Sequence, residues 1–157
     1  MKNIKAIIFD AYGTLFDVNS AAEKYRDRIG DKWESFANFW RTTQLEYTWL
    51  RSLMKRHKDF WQITEESLDK SIKTYKIDPS MKNDLLDLYK ALLPYEEVQE
   101  VLKKLKEKNF KLAILSNGRP SLLDGLVKSN NFENLFDDLF SIEQVGIYKP
   151  DSKVYDM

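Results

Sequence analysis

The prediction of the fold starts from one stretch of sequence, Ile4-Lys5-Ala6-Ile7-Ile8-Phe9-Asp10-Ala11-Tyr12-Gly13-Thr14. Residues 4–9 are mostly apolar, with β-branched and aromatic side chains, and predict a short buried strand. Asp10 ends this strand, and Gly13 provides a turn. A carboxylate at a strand end, beside free backbone N–H groups, is well placed to act as a nucleophile, although the same residue could simply cap a turn.

A strand-and-helix pattern resumes after Pro94. Val98, Val101, Leu102 and Leu105 line one face of a predicted helix. The elements that follow are a strand over 111–115 closed by Ser116-Asn117-Gly118, a helix over about 120–129, a strand near 138–142, and a final helix capped by Asp151.

The predicted strands bring polar residues to one edge of a sheet. Ligands of open parallel sheets bind beyond the carboxyl ends of the strands. Asp10 and Ser116-Asn117 both follow predicted strands, so we expect them to converge on one site.

The region from about 20 to 93 is helical in pattern. Its first apolar face consists of Phe36, Trp40, Thr43, Tyr47, Leu50 and Met54. A second helix carries Leu68, Ile72 and Tyr75 after Thr64-Glu65-Glu66, which predicts an N-cap with an acidic first turn. Asp78-Pro79-Ser80 breaks that helix, and Pro94 stops the next one. The sequence therefore predicts an α/β protein with a helical insertion after its first strand.

Composition excludes several classes of function. Lys and Arg total 25 and Asp and Glu total 25, a balance that argues against nucleic-acid binding. The chain has no Cys, and its one His, His57, lies in a charged run and is expected to be exposed. No segment approaches the length of a membrane span, and the apolar run at 4–9 is too short for a signal peptide, so a cytoplasmic location is expected.

Three motifs resemble those of the haloacid dehalogenase superfamily. They are Phe9-Asp10-Ala11-Tyr12-Gly13-Thr14-Leu15-Phe16-Asp17, Leu115-Ser116-Asn117-Gly118 and Lys149-Pro150-Asp151, in the same order and with agreeing spacing. The resemblance covers essentially the whole chain. It implies a Rossmann-like core with a parallel sheet, formed by residues 1–16 and 95–157, and a helical cap domain formed by residues 17–94.

Tyr12 indicates the branch of the superfamily. Phosphatases of this superfamily usually carry an aspartate at this position, which protonates a poor alkoxide leaving group. A halide leaves without a proton and needs no such acid. The segment Trp40-Arg41-Thr42-Thr43-Gln44-Leu45-Glu46-Tyr47-Thr48-Trp49-Leu50-Arg51-Ser52-Leu53-Met54 is also very similar to the cap of the L-2-haloacid dehalogenases.

The resemblance implies hydrolytic dehalogenation of (S)-2-haloacids to (R)-2-hydroxy acids and halide through an aspartyl ester, without a metal or cofactor. Its expected partners are a small 2-haloalkanoic acid and, in a homodimer, a second copy of the chain, with no nucleic acid and no membrane. The implied catalytic residues are Asp10, Thr14, Arg41, Asn117, Lys149 and Tyr155. The implied substrate-binding residues are Ala11, Tyr12, Arg41, Leu45, Phe60, Ser116 and Asn117.

The resemblance implies that Asp10 attacks the halogen-bearing carbon, while Arg41 and Asn117 receive the halide. Ser116 helps to bind the substrate carboxylate, and Thr14 orients the nucleophile. Lys149 lies beside Asp10, Tyr155 supports the same site, and Tyr12, Leu45 and Phe60 shape an apolar pocket. By position alone, Arg41 and Lys149 would be solvated surface residues, and Leu45, Phe60 and Tyr155 would be packing residues.

The sequence stops at Met157, just after the third motif. Dehalogenases of this type continue with another strand and an acidic fourth motif, so we expect a core that is incomplete at its C-terminus and an exposed apolar edge at residues 4–9. Such a chain is expected to be weakly active or inactive, although Asp10 could still be alkylated. A Mg²⁺-dependent phosphatase, disfavoured by Tyr12, and a non-catalytic remnant of a dehalogenase are the alternatives.

Overall fold

A computed structural model describes residues 4–157. Residues 1–3, which belong to the predicted core segment 1–16, lie outside the described residues. The strands are β1 (Ala6–Phe9), β2 (Lys111–Ser116) and β3 (Asp138–Ser141). The helices are α1 (Ser20–Glu23), α2 (Arg26–Ile29), α3 (Trp33–Leu53), α4 (Phe60–Tyr75), α5 (Lys82–Tyr89), α6 (Val98–Glu107) and α7 (Pro120–Ser129). Short 3₁₀ turns occupy Pro79–Met81, Ile142–Gln144 and Ser152–Val154.

The three strands form one parallel sheet in the order β1-β2-β3. Phe9 pairs with Ile114 in the first ladder, and Ser116 pairs with Ser141 in the second. This register brings the carboxyl ends of all three strands to one edge. The predicted α/β class, with a parallel sheet and a long helical insertion, is confirmed.

β1 is more exposed than predicted. Within residues 4–157 it pairs only with β2, and its residues alternate between exposed and half-buried. Ile8 is 58% exposed. The prediction of a buried strand is therefore wrong for the described part of the chain, because Ala6 and Ile8 lie on a face of the sheet that is left open, and the pairing of β1 on one edge only agrees with the exposed apolar edge also expected at residues 4–9.

The helical insertion packs mainly through α3 and α4. Phe36 and Trp40 of α3 are buried as predicted, but Leu50 and Met54 are 51% and 53% exposed. The buried face of α3 turns instead through Gln44 and Thr48. These polar side chains can be buried because other groups in the same layer satisfy their hydrogen bonds.

The start of α4 differs from the sequence prediction. The N-cap is Asp59, whose carboxylate accepts hydrogen bonds from the backbone N–H groups of Trp61 (2.8 Å) and Gln62 (3.1 Å). Thr64 lies inside the helix and is fully buried. The predicted cap at Thr64 is therefore wrong, because a preceding Asp meets the first free N–H groups of the helix.

The chain leaves and re-enters the sheet layer along paired segments. The N–H of Asp17 donates to Leu93 O (2.8 Å), and the N–H of Tyr95 donates to Leu15 O (3.1 Å). The helical stretch between these pairs spans the predicted cap, 17–94, and the division into core and cap stays a prediction. No helix within the described residues is long and apolar enough to cross a membrane.

Two predictions near the carboxyl end of the chain have different outcomes. Asp151 caps as predicted by accepting from the N–H of Lys153 at 3.0 Å, but the element it caps is a single 3₁₀ turn. His57 is only 25% exposed at its side chain and pairs with Glu143 at 2.9 Å, so the prediction of an exposed histidine is wrong. Its charged neighbours in sequence did not indicate this partner from the sheet layer.

Candidate active site

The site lies at the carboxyl edge of the sheet. Asp10 directly follows β1, Ser116 ends β2, and Asn117 comes immediately after it. Lys149 lies in the loop that follows β3. The parallel pairing of the strands thus brings all three predicted motifs together.

Asp10 and Lys149 form the central ion pair of this edge. Lys149 Nζ lies 2.7 Å from Asp10 Oδ1 and also donates to Leu115 O at 2.9 Å. The lysine side chain is 19% exposed, whereas that of Asp10 is 40% exposed. A carboxylate held by one cation through one oxygen, and still open to solvent, can approach a small molecule with its other oxygen.

The turn after Asp10 is held by the carbonyl of Ala11. This oxygen accepts from the N–H groups of Leu15 (2.9 Å) and Phe16 (3.0 Å), and Ala11 itself is fully buried. Gly13 has a φ of +88°, a conformation that favours glycine. Thr14 is exposed, and its hydroxyl makes no hydrogen bond with any other part of residues 4–157.

Arg41 joins the helical insertion to this turn. Its Nη2 donates to the carbonyl of Tyr12 at 2.7 Å, and its Nη1 donates to Gln44 Oε1 at 2.8 Å. The guanidinium therefore lies against the backbone next to Asp10 in sequence, and it is half-buried rather than a solvated surface group. An arginine has five N–H donors, of which two are engaged within the described residues.

Aromatic rings line the same side of the site. The ring of Tyr12 lies 5.2 Å from that of Phe60 and 5.8 Å from that of Tyr89, measured between centroids. Tyr12 is 3% exposed and Phe60 1%, whereas Leu45 is half-buried. Burial raises the pKa of the Tyr12 phenol far above its usual value, so this group stays protonated and uncharged.

The second motif contributes one amide and one hydroxyl. Asn117 Oδ1 accepts from the N–H of Lys149 at 3.2 Å, which ties the second motif to the third. Ser116 is fully buried, and its Oγ accepts from the N–H of Gly118 at 3.0 Å. These contacts fix the turn after β2 beside the Asp10–Lys149 pair.

Tyr155, like Thr14, is a predicted site residue whose side chain makes no hydrogen bond to the others. It is 59% exposed, and its hydroxyl makes no hydrogen bond within residues 4–157. Its predicted role at the site stays a prediction.

Sequence reasoning missed a buried polar cluster behind Arg41. Gln44 and Thr64 are buried and joined by a hydrogen bond of 2.6 Å, and the hydroxyl of Tyr89 donates to Gln44 Oε1 at 3.1 Å. The available signal was the helical spacing of Arg41 and Gln44, which places them on neighbouring positions of one helix face.

The described part of the chain has no group of three His, Cys, Asp or Glu side chains close enough to hold a metal ion. The expectation that the reaction uses no cofactor stays a prediction.

Comparison with known proteins identifies the family of this chain. A family model described as haloacid dehalogenase-like hydrolase matches residues 4–157. The chain is 43% identical to (S)-2-haloacid dehalogenase 1 of Pseudomonas sp. (strain CBS-3), over 99% of this chain and 69% of that protein. It is 39% identical to (S)-2-haloacid dehalogenase 4A of Burkholderia cepacia, over 98% of this chain and 67% of that protein.

Solved structures agree with this relation. A dehalogenase crystal structure superposes with a TM-score of 0.96 at 39% identity, covering 99% of this chain and 70% of that one. The L-2-haloacid dehalogenase from Xanthobacter autotrophicus with chloropropionic acid covalently bound superposes with a TM-score of 0.88 at 38% identity, covering 98% of this chain and 63% of that one. The chain therefore belongs to the haloacid dehalogenase-like hydrolases, and the two relatives named above are (S)-2-haloacid dehalogenases.

Proposed function

We propose that this protein is a hydrolase acting on carbon–halide bonds, which converts (S)-2-haloacids into (R)-2-hydroxy acids. The observation that carries the proposal is the Asp10–Lys149 pair, with the guanidinium of Arg41 bound to the backbone turn that follows Asp10. A nucleophile, a cation beside it and a second cation for a departing anion are the parts that this displacement needs.

In the proposed first step, the free carboxylate oxygen of Asp10 attacks C2 of the substrate. An oxygen–carbon bond forms, the carbon–halogen bond breaks, and the halide leaves with the bonding electron pair. The 40% exposure of the Asp10 side chain supports this access. The relative from Xanthobacter autotrophicus, whose structure holds chloropropionic acid covalently bound, supports an enzyme-bound intermediate.

Arg41 and Asn117 receive the halide in this proposal. The guanidinium of Arg41 has more N–H groups than its contacts with Tyr12 and Gln44 use, and arginine keeps its charge throughout the reaction. The amide N–H₂ of Asn117 is also available, because its oxygen makes the contact with Lys149. A permanent cation stabilises the developing anion without exchanging a proton.

In the proposed second step, water attacks the ester carbonyl carbon of Asp10. The bond between this carbonyl carbon and the oxygen attached to C2 of the substrate breaks, so the hydroxy acid leaves with inverted configuration. The oxygen of the attacking water stays in the regenerated carboxylate of Asp10, and a proton is released. Lys149 offsets the charge on the carbonyl oxygen, to which it lies closest among the cations of the site.

The remaining predicted residues have supporting roles in the proposal. Tyr12, Leu45 and Phe60 form the apolar wall, Ser116 helps to bind the substrate carboxylate, and Ala11 shapes the turn. Thr14 and Tyr155 orient the nucleophile and support the site. The helical segment 17–94 acts as the cap, and a homodimer stays a prediction.

The buried phenol of Tyr12 argues against the phosphatase alternative. Phosphoester cleavage needs a general acid that gives up its proton near neutral pH. Burial raises the pKa of Tyr12 and holds its proton more tightly than in water, so the phenol is a poor acid at this position.

The proposal predicts that (S)-2-chloropropionate attaches to Asp10. Incubation followed by mass spectrometry of the peptide that contains Asp10 should show one added propionate unit, and turnover in ¹⁸O-water should label this carboxylate. Asp10→Asn should abolish both signals, whereas Asp124→Asn, in an exposed pair with Lys128, should change neither. Hydrolysis of substrate without any label on Asp10 would show that water attacks the substrate directly and would refute the ester.

A further inference from the structure

The polar cluster behind Arg41, formed by Gln44, Thr64 and Tyr89, is arranged so that it can fix the position of the Arg41 side chain. We infer that Gln44 is a positioning residue, which fixes the guanidinium of Arg41 against the turn after Asp10. This inference rests on the proposed function, because it concerns the group that receives the halide. Gln44 itself is 1% exposed, and its amide is hydrogen-bonded to Arg41, Thr64 and Tyr89.

Arg41 is held by two acceptors from different parts of the fold. One is the carbonyl of Tyr12 at 2.7 Å, and the other is Gln44 Oε1 at 2.8 Å. With the Tyr12 contact alone, this long side chain could rotate about its guanidinium, and ordering it would cost conformational entropy at each turnover. The contact with Gln44 fixes the plane of the guanidinium before substrate binds.

The direction of each hydrogen bond in the cluster is determined. The Thr64 hydroxyl donates to Phe60 O at 2.8 Å, so its oxygen is left to accept from Gln44 Nε2 at 2.6 Å. The amide of Gln44 therefore presents its oxygen, not its N–H₂ group, to Arg41. A flipped amide would place N–H groups against the guanidinium N–H groups and lose both contacts.

Tyr89 reinforces the same orientation. Its hydroxyl donates to Gln44 Oε1 at 3.1 Å. Burial raises the pKa of this phenol, so it remains a donor at neutral and moderately alkaline pH. Gln44 Oε1 thus accepts from two donors, while Gln44 Nε2 donates to Thr64.

A neutral holder also preserves the charge of Arg41. A carboxylate at position 44 would bind the guanidinium more strongly but would neutralise the charge that attracts an anion. The amide supplies an acceptor without a net charge. The arrangement fits a guanidinium that must stay in one place and remain attractive to a halide.

Three variants and one control variant test this inference. Gln44→Met keeps the approximate length of the side chain and removes its three hydrogen bonds, to Arg41, Thr64 and Tyr89. Thr64→Val removes the hydroxyl that orients the amide, whereas Thr64→Ser keeps it and serves as the matched control. Arg41→Met removes the held group. Circular dichroism and thermal unfolding establish that each variant is folded.

Alkylation of Asp10 is the activity readout, followed by mass spectrometry with (S)-2-chloropropionate and with (S)-2-bromopropionate. Gln44→Met and Thr64→Val should slow alkylation by chloropropionate about tenfold to a hundredfold. They should slow alkylation by bromopropionate less, because bromide is the better leaving group and its departure depends less on a fixed cation. Thr64→Ser should match the unaltered protein.

Bromide binding gives a second readout that requires no turnover. The ⁸¹Br NMR line of added bromide broadens when the ion binds to a protein, and Arg41→Met gives the background from other sites. Gln44→Met should reduce this broadening, and Thr64→Ser should not.

The outcomes separate the inference from the proposed function. If the unaltered protein is not alkylated at Asp10, the proposed function fails. If Arg41→Met alkylates Asp10 as fast as the unaltered protein, Arg41 does not receive the halide, and the inference fails while the nucleophilic role of Asp10 stands. If Arg41→Met is slow but folded Gln44→Met is not, or slows both substrates equally, positioning by Gln44 is refuted while the proposed function stands. Should Gln44→Met not fold, equal rates for Thr64→Val and Thr64→Ser would refute it.

Discussion

Gly118 shows how a single residue shapes the candidate site. A Cβ atom at this position would lie 2.6 Å from Tyr12 Cε2 and 3.2 Å from Leu123 Cδ2. Both neighbours are almost completely buried, so neither can move aside freely. The absence of a side chain at Gly118 is what allows the Tyr12 ring to lie against the turn after β2.

We therefore predict opposite effects for two glycine substitutions. Gly118→Ala should lower the free energy of unfolding by about 1–3 kcal/mol through overpacking, and should slow alkylation of Asp10 because Tyr12 shifts. Gly125→Ala is the matched control: it lies in α7 with no atom within 4 Å of its added Cβ, and should raise stability by about 0.5–1 kcal/mol. Urea unfolding measures the free energy of unfolding of both variants. An unchanged value for Gly118→Ala would contradict the packing argument.

At the scale of an element, Asp59 determines where α4 begins. Its carboxylate accepts two backbone N–H groups of the first turn, which have no partner within the helix. The beginning of α4 in turn places Phe60 against Tyr12 and Thr64 beside Gln44. A cap at Asp59 thus supports both the apolar wall and the cluster behind Arg41.

Substitutions distinguish a helix capped by Asp59 from the helix start expected at Thr64. Asp59→Ala should lower the free energy of unfolding by about 1 kcal/mol, and Asp59→Asn should largely restore it. Glu65→Ala, which would remove the acidic first turn expected from the sequence, should cost about 0.5 kcal/mol or less. Chemical denaturation monitored by circular dichroism measures all three; a larger loss for Glu65→Ala would contradict the observed helix start.

At the scale of the whole molecule, Tyr148 and His57 connect the helical insertion to the sheet layer. The hydroxyl of Tyr148 donates to the carbonyl of Lys58, and its N–H donates to Ser52 Oγ at 3.2 Å. His57 Nε2 lies 2.9 Å from Glu143 Oε2, and the rings of His57 and Tyr148 lie 5.1 Å apart. These contacts hold the α3–α4 connection over the loop that carries Lys149.

Burial of phenols at this junction and at the site predicts a loss of stability in alkali. Burial raises the pKa of Tyr12, Tyr89 and Tyr148 in the folded protein, whereas an unfolded tyrosine titrates near about 10. Above that pH the unfolded chain releases protons that the folded chain keeps, so stability present at lower pH is lost as pH rises. Each phenol contributes a slope of about 1.4 kcal/mol per pH unit.

Tyr148→Phe tests this linkage. At pH 8 the variant should be about 1 kcal/mol less stable, because the hydrogen bond to Lys58 is lost. Between pH 10 and 11 its stability should fall less than that of the unaltered protein, by about 1 kcal/mol. Urea unfolding at a series of pH values gives both numbers, and parallel curves would disprove the link to Tyr148.

Much of the fold followed from local sequence. The apolar run before Asp10, the breaks at Pro79 and Pro94, and the helix over 120–129 all reflect periodicity and backbone preference, which neighbours in the chain encode. The convergence of Asp10 and Asn117 followed as well, because parallel strands bring their carboxyl ends to one edge, whereas the place of Lys149 beside Asp10 followed only from the family resemblance.

Tertiary structure alone decided which polar and apolar groups are covered. The exposure of Ile8 depends on what packs over its face of the sheet, and the burial of His57 depends on Glu143, which lies 86 residues away in the chain. The orientation of the Gln44 amide depends on Thr64 and Tyr89, which belong to two other helices. Local patterns fix where a helix or strand forms, but a buried polar group is stable only beside its partner, and partners meet only when the chain has folded.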